Sequence, residues 1–192
     1  MPTDPVLSAV EAALTECFGH RPQRASVSFV GVEPIEILRF EPIPGERAYL
    51  SLGMSRHPMT GADESMLAAE GPRAELMLHL RDPTDSLGDI WRRLAVLAAS
   101  PAVEGVVYRA GMTVDVGEPL VAGASCSGGV LADSPFPAFA TPAGEVALLL
   151  VVPITPNELA WARVRGSEAL SERLHGTDVD LLDLARRSVD LN

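Results

Sequence analysis

Four histidines, two cysteines and 26 acidic residues are the groups with which this 192-residue chain could do chemistry. Cys17 and His20 have the spacing of a metal-ligand pair, but no second pair completes a tetrahedral site. Cys17 also falls on the apolar stripe of a helical pattern, so it reads as a core thiol. Cys126 lies in the run Gly-Ala-Ser-Cys-Ser-Gly-Gly that begins at Gly123. A nucleophile elbow needs a glycine where Ser127 stands and a helix after the nucleophile, whereas a strand pattern follows here. The two glycines then read as permitting close backbone approach at a strand entry. His57 or His79 beside a carboxylate could act as the base of a small hydrolase, but no such set occurs at recognisable spacing. His175 precedes Gly176 at a helix end, where a cation suits the helix dipole. The residues thus indicate no catalytic group, no metal and no cofactor.

All 15 basic residues are arginine, so lysine Schiff bases and a phosphate-binding Walker lysine are excluded. The formal charge of −11 repels phosphate and argues against nucleic acid as a partner. Hydrophobic residues make up 47% and charged residues 21%, enough for one packed core over 1–192. The start of the chain lacks the charged and apolar regions of a secretory signal. The longest apolar run, Val146 to Ile154, is too short to span a bilayer. These features lead us to expect a cytoplasmic protein with no membrane contact.

The elements that would position these groups follow from periodicity. Asp4 and Pro5 open a helix that carries Val6, Val10, Leu14 and Cys17 and ends at Gly19. Strand patterns cover Ser26 to Val32, Ile35 to Phe40 and Arg47 to Leu52, joined by connections short enough to make them antiparallel. Gly53 to Gly71, with the acidic pair Asp63 and Glu64, reads as a loop. In Ala74 to Leu80, Leu76, Leu78 and Leu80 take one face, while Glu75, Met77, His79 and Arg81 take a partly wet one. Ser86 and Asp89 resemble a capping box, opening a helix with Trp91 on its buried stripe, Arg92 and Arg93 opposite, and Pro101 beyond its end. Val106 to Arg109 reads as a short strand and Met112 to Leu120 as a loop or ribbon. Ser127 to Ala132 and Glu145 to Val152 are strands, the second a central one. Between them Asp133 to Gly144 reads as a surface loop, whose Pro135 to Phe139 segment could serve a homo-oligomeric scaffold. Thr155, Pro156 and Glu158 start a helix reaching about Leu174, and a last helix begins near Thr177 or Asp178. The class is α+β: a mainly antiparallel sheet flanked by helices.

Five segments in order are similar to the Suppressor of fused domain family. They are Tyr49 to Met59 (YLSLGMSRHPM), Arg73 to Leu80 (RAELMLHL), Trp91-Arg-Arg-Leu-Ala with Pro101, Gly111 to Leu120, and Leu150 to Leu159 (LVVPITPNEL). The match spans roughly residues 30 to 175. The resemblance implies a mixed α/β domain and a non-enzymatic protein-binding role, without catalytic residues. Its animal members sequester Gli-type zinc-finger transcription factors between two domains; the second domain is missing here, so Gli binding does not carry over. For the bacterial branch, which the arginine-rich, lysine-free composition fits, the resemblance implies an immunity protein. Such a protein would neutralise a toxin, and an acidic one would steer a basic toxin towards itself. The expected contact residues are Met54, Ser55, Arg56, His57, Pro58 and Met59, on a proline-fixed turn at a strand end.

Overall fold

Residues 4–61, 70–82, 85 and 87–192 are described by a computed structural model. Asp4 caps α1 (Pro5–Phe18): its carboxylate accepts from the amides of Val6 at 2.8 Å and Leu7 at 3.2 Å. The strands are β1 (Gln23–Phe29), β2 (Val32–Phe40), β3 (Glu46–Leu52), β4 (Arg73–Arg81), β5 (Thr113–Asp115), β6 (Gly128–Asp133), β7 (Phe139–Thr141) and β8 (Gly144–Ile154). They form one sheet in the order β1-β2-β3-β4-β8-β6-β5, with β7 also paired to β8. Every pairing is antiparallel except β4 with β8. The three remaining helices are α2 (Ile90–Glu104), α3 (Pro156–Arg165) and α4 (Ser167–His175).

Helices cover both sheet faces. On one, Val6, Val10 and Leu14 of α1 pack on Leu38, Phe40, Leu50 and Met77. On the other, Ile90, Leu94 and Ala98 of α2 meet Ile37, Leu76, Leu78 and Leu131. A third cluster joins β6 and β8 to α3, α4 and the C-terminal segment through Val130, Ile154, Leu170 and Val189. No helix among the described residues is long and apolar enough to cross a membrane.

The α+β class and the mainly antiparallel sheet agree with the periodicity; several local expectations do not. The partly wet face of β4 is wet at one end only: His79 is half-buried and Arg81 exposed, while Met77 is buried in the α1 cluster and Glu75 under the turn that follows β3. Cys17 faces solvent, since the stripe of α1 narrows after Leu14. Pro101 lies inside α2 and does not follow it. Its missing N–H frees the Leu97 carbonyl, which accepts from the Tyr108 hydroxyl at 3.1 Å. Residues 106–109 are accordingly not a strand but a packed turn-back held by that bond. Ser86 and the pair Asp63 and Glu64 lie outside the described residues; the cap position of α2 is Asp89, without a side-chain cap bond. Trp91 is half-buried, and Arg92 folds over its ring at 4.9 Å instead of pointing away.

Towards the C-terminus the ribbon reading of 112–120 yields β5, and the loop 133–144 contains β7. In that segment Phe139 is buried in the α1 layer and Phe136, half-buried, lies against Phe18. One expected helix is two, broken at Gly166, whose φ of 93° suits glycine. The expected last helix does not form. Residues 178–192 run as irregular chain, because the fixed backbone of the sheet offers them partners: the Leu184 carbonyl accepts from Ser125 at 2.8 Å, and that of Leu182 from Arg81 at 2.9 Å.

Candidate functional site

The segment after β3 turns sharply at Gly53, where φ is 141° and a Cβ would come within 3.0 Å of the Pro34 carbonyl oxygen. A single 3₁₀ turn, Met54–Arg56, follows. Beneath it lies the fully buried carboxyl group of Glu75. One oxygen accepts from the Gly53 amide at 2.8 Å, the Ser55 amide at 2.9 Å and the Ser55 hydroxyl at 2.6 Å. The other accepts from the Ser51 hydroxyl, whose oxygen in turn accepts from the Leu76 amide at 2.8 Å. Arg73 donates to the carbonyls of Ser55 at 2.8 Å and Arg56 at 2.6 Å, and the Met59 amide donates to the Pro72 carbonyl at 2.8 Å. A side chain from the next strand thus satisfies the polar groups of the turn and fixes its shape.

This arrangement divides the six expected contact residues. Met54, Ser55 and Met59 are buried and shape the turn. Pro58 is half-buried. His57 presents its ring outwards, its side chain 73% exposed, whereas the Arg56 side chain is only 18% exposed. His57 Nε2 lies 2.7 Å from a Glu33 oxygen; Arg56 reaches the same carboxylate at 3.6 Å and Asp4 at 3.7 Å. Glu33, Asp4, Glu75 and Arg73 were missed from sequence. A glutamate alternating with leucines in β4 was the signal for Glu75; nothing local marks Glu33 or Asp4, which the fold brings in from β2 and from the cap of α1.

The alternative catalytic groups are dispersed. His57 and Glu33 sit on an open surface. His79 Nε2 is 2.8 Å from Glu46 but off the line of a hydrogen bond. Burial pushes the Cys126 thiol up to about 11, far from a reactive thiolate. Added Cβ atoms at Gly128 and Gly129 would come within 2.3 Å of the Val114 carbonyl oxygen and 2.5 Å of a Val151 methyl carbon. The paired glycines after Cys126 therefore serve backbone approach. Among the described residues, no group of three or more metal-ligating side chains converges.

A buried ion pair elsewhere has a structural role. Arg186 donates to both Glu158 oxygens, at 2.7 and 2.8 Å, and to the Pro153 carbonyl at 2.8 Å. Glu158 also accepts from the amides of Thr155 at 2.8 Å and Val189 at 2.9 Å. Burial opposes its charge, yet Arg186 and these amides hold its carboxyl below the usual value. The pair ties the C-terminal segment to the start of α3.

Comparison with known proteins places these elements in context. The family model described as Suppressor of fused protein (SUFU) matches residues 31–187. The chain also resembles a chain of the Sufu–Fu complex crystal structure, at 16% identity and a TM-score of 0.69, covering 98% of this chain and 91% of that one. A protein of Neisseria gonorrhoeae FA 1090, described as a Suppressor of fused homolog, is 19% identical with a TM-score of 0.67, covering 95% and 96% of the two chains. Drosophila Suppressor of Fused is 16% identical with a TM-score of 0.72; 97% of this chain covers 51% of that one. Among curated proteins nothing matches.

Proposed function

The chain belongs to the Suppressor of fused family, and from that premise we propose that it is a single-domain, non-enzymatic protein-binding module acting as a bacterial immunity protein. The observation that carries the binding surface is the Arg56–His57 tip, held from beneath by Glu75 and from the side by Arg73. A rigid turn with the exposed His57 at its tip loses little conformational freedom on binding. Its neighbours Glu33 and Asp4 add carboxylates to the same patch.

The charge of −11 supports a basic toxin as the partner, because complementary fields speed encounter and weaken with salt. An acidic protein confined to the cytoplasm would meet such a toxin where it acts. The test is capture of partners from native lysate by the tagged chain, repeated with Arg56→Ala/His57→Ala, together with co-expression beside the candidate toxin. We expect one basic partner, loss of capture in the double variant and at high salt, and rescue of growth. Capture that ignores both salt and the double variant would overturn this site; growth arrest despite a bound partner would overturn the immunity role.

A further inference from the structure

We propose that the cleft between the sheet and the start of α2 binds a small aromatic carboxylic acid, with Arg39 taking the ligand's carboxylate in place of that of Asp85. This goes beyond the protein-binding reading and does not depend on it. Cross-strand pairing sets Gln23 beside Arg39, Arg39 beside Tyr49, and Ala25 beside Ile37. These five side chains therefore share one sheet face, the face on which α2 packs. Gly88 and Trp91 border them from the helix side, and the cleft between has a volume of about 280 Å³. That lies just below the roughly 300–1,000 Å³ of pockets for larger ligands, so the space suits a single ring with a short acid arm.

Arg39 is the polar anchor of the cleft. Its side chain is 26% exposed, and Nη2 donates to Gln23 Oε1 at 2.5 Å while Nη1 pairs with Asp85. The Tyr49 hydroxyl faces the same guanidinium. Burial and the charge of Asp82 push that hydroxyl up from its ordinary value, so it stays protonated and able to donate. Ala25, Ile37 and Trp91 supply apolar walls beside these donors. The carboxylate now on Arg39 comes from outside the sheet, on a side chain 54% exposed. Among the described residues Asp85 is also the only non-glycine with a positive φ, 52°. Strain of this kind concentrates at binding sites, and a free carboxylate makes the same charge-assisted bond without it.

Charge selects the ligand class. Two guanidinium groups, Arg24 and Arg39, line the cleft against one carboxylate, Asp85. A ligand cation would have to compete with Arg39 for Asp85, and with Arg92 for the Trp91 ring, which Arg92 covers at 4.9 Å. A dianion such as phosphate is opposed by Glu11 and Glu36, which hold Arg24, and by the overall charge of −11. A neutral ring gains the apolar walls but leaves Asp85 on Arg39. A single carboxylate on an aromatic body uses both halves of the site.

The test titrates the full chain, isotopically labelled, with phenylacetate at constant ionic strength and follows the Trp91 indole and Arg39 side-chain N–H signals by NMR. We expect saturable shifts with phenylacetate and none with phenylacetamide or phenethylamine at the same concentrations. Acetate, which lacks the ring, should bind about tenfold more weakly or worse. Asp85→Asn removes the competing carboxylate while asparagine still tolerates the positive φ. It should tighten phenylacetate about tenfold, the scale of one charge-assisted hydrogen bond. Arg39→Gln should abolish binding; because it also removes a half-buried cation from the sheet, Asp85→Asn is the deciding variant. A merely structural Arg39–Asp85 pair predicts no gain in that variant. Unchanged or weaker binding by Asp85→Asn, equal binding of the amide, the amine or acetate (an adventitious anion only), shifts confined to other residues, or no binding of phenylacetate would each overturn the proposal. Partner capture is read separately, so none of these outcomes bears on the protein-binding reading.

Discussion

Cys17 and Cys126 carry the same thiol into opposite environments. Cys17 is exposed on α1, whereas Cys126 is buried with its thiol pushed from 9.0 up to about 11. Iodoacetamide at mildly alkaline pH should therefore label Cys17 in the native chain and reach Cys126 only after denaturation, as read by mass spectrometry; rapid native labelling at Cys126 would contradict its burial. Glu75 is the residue on which the candidate tip depends. Glu75→Leu strands two amides and two hydroxyls in the core and should destabilise the fold by about 3 kcal/mol or more, since each orphaned buried donor costs on the order of 1–3 kcal/mol. Urea unfolding checks this, and loss of partner capture by the folded fraction would show that turn geometry is what the partner reads. Tyr108→Phe, which orphans the Leu97 carbonyl opposite Pro101, should cost about 1–3 kcal/mol by the same reasoning.

Among the elements, the junction of α3 with the C-terminal segment has the sharpest energetic signature. Arg186→Met leaves Glu158 buried without its counter-ion and should destabilise by about 3–5 kcal/mol. Adding Glu158→Leu should recover part of this; the Thr155 and Val189 amides would remain without their acceptor. The pH dependence follows from the lowered carboxyl value of Glu158. Its contribution is present above the ordinary value of 4.5 and is lost as pH falls through the lower folded value. Acid titration should thus loosen the segment around Val189 below about pH 4.5, detectable by amide exchange, with Glu158→Gln removing that step. At β6, Gly128→Ala places a methyl within 2.3 Å of a backbone oxygen that cannot swing away, so β5 should detach or the whole chain lose stability in urea.

Over the whole molecule, a surplus of acidic groups on a Suppressor of fused fold underlies the proposed recognition by surface. Partner capture should therefore weaken steadily with ionic strength; binding insensitive to salt would show that shape and apolar burial dominate. The residues alone determined the α+β class, the antiparallel run of β1 to β3, the capping box of Thr155 and Glu158 and the family resemblance, because hydrophobic period, caps and turn residues act over a few neighbours. They failed where long-range partners decide. Residues 178–192 have a helical pattern, but the open carbonyls and amides at the sheet's end and the buried Glu158 compete for them and win. Pro101 reads locally as a stop, yet α2 passes through it because Tyr108 supplies the missing bond. The six-residue turn was legible as a candidate; which of its side chains face outwards was not. That depended on Glu75 and Arg73 arriving from a strand remote in sequence, and burial is a property that only the assembled layers possess.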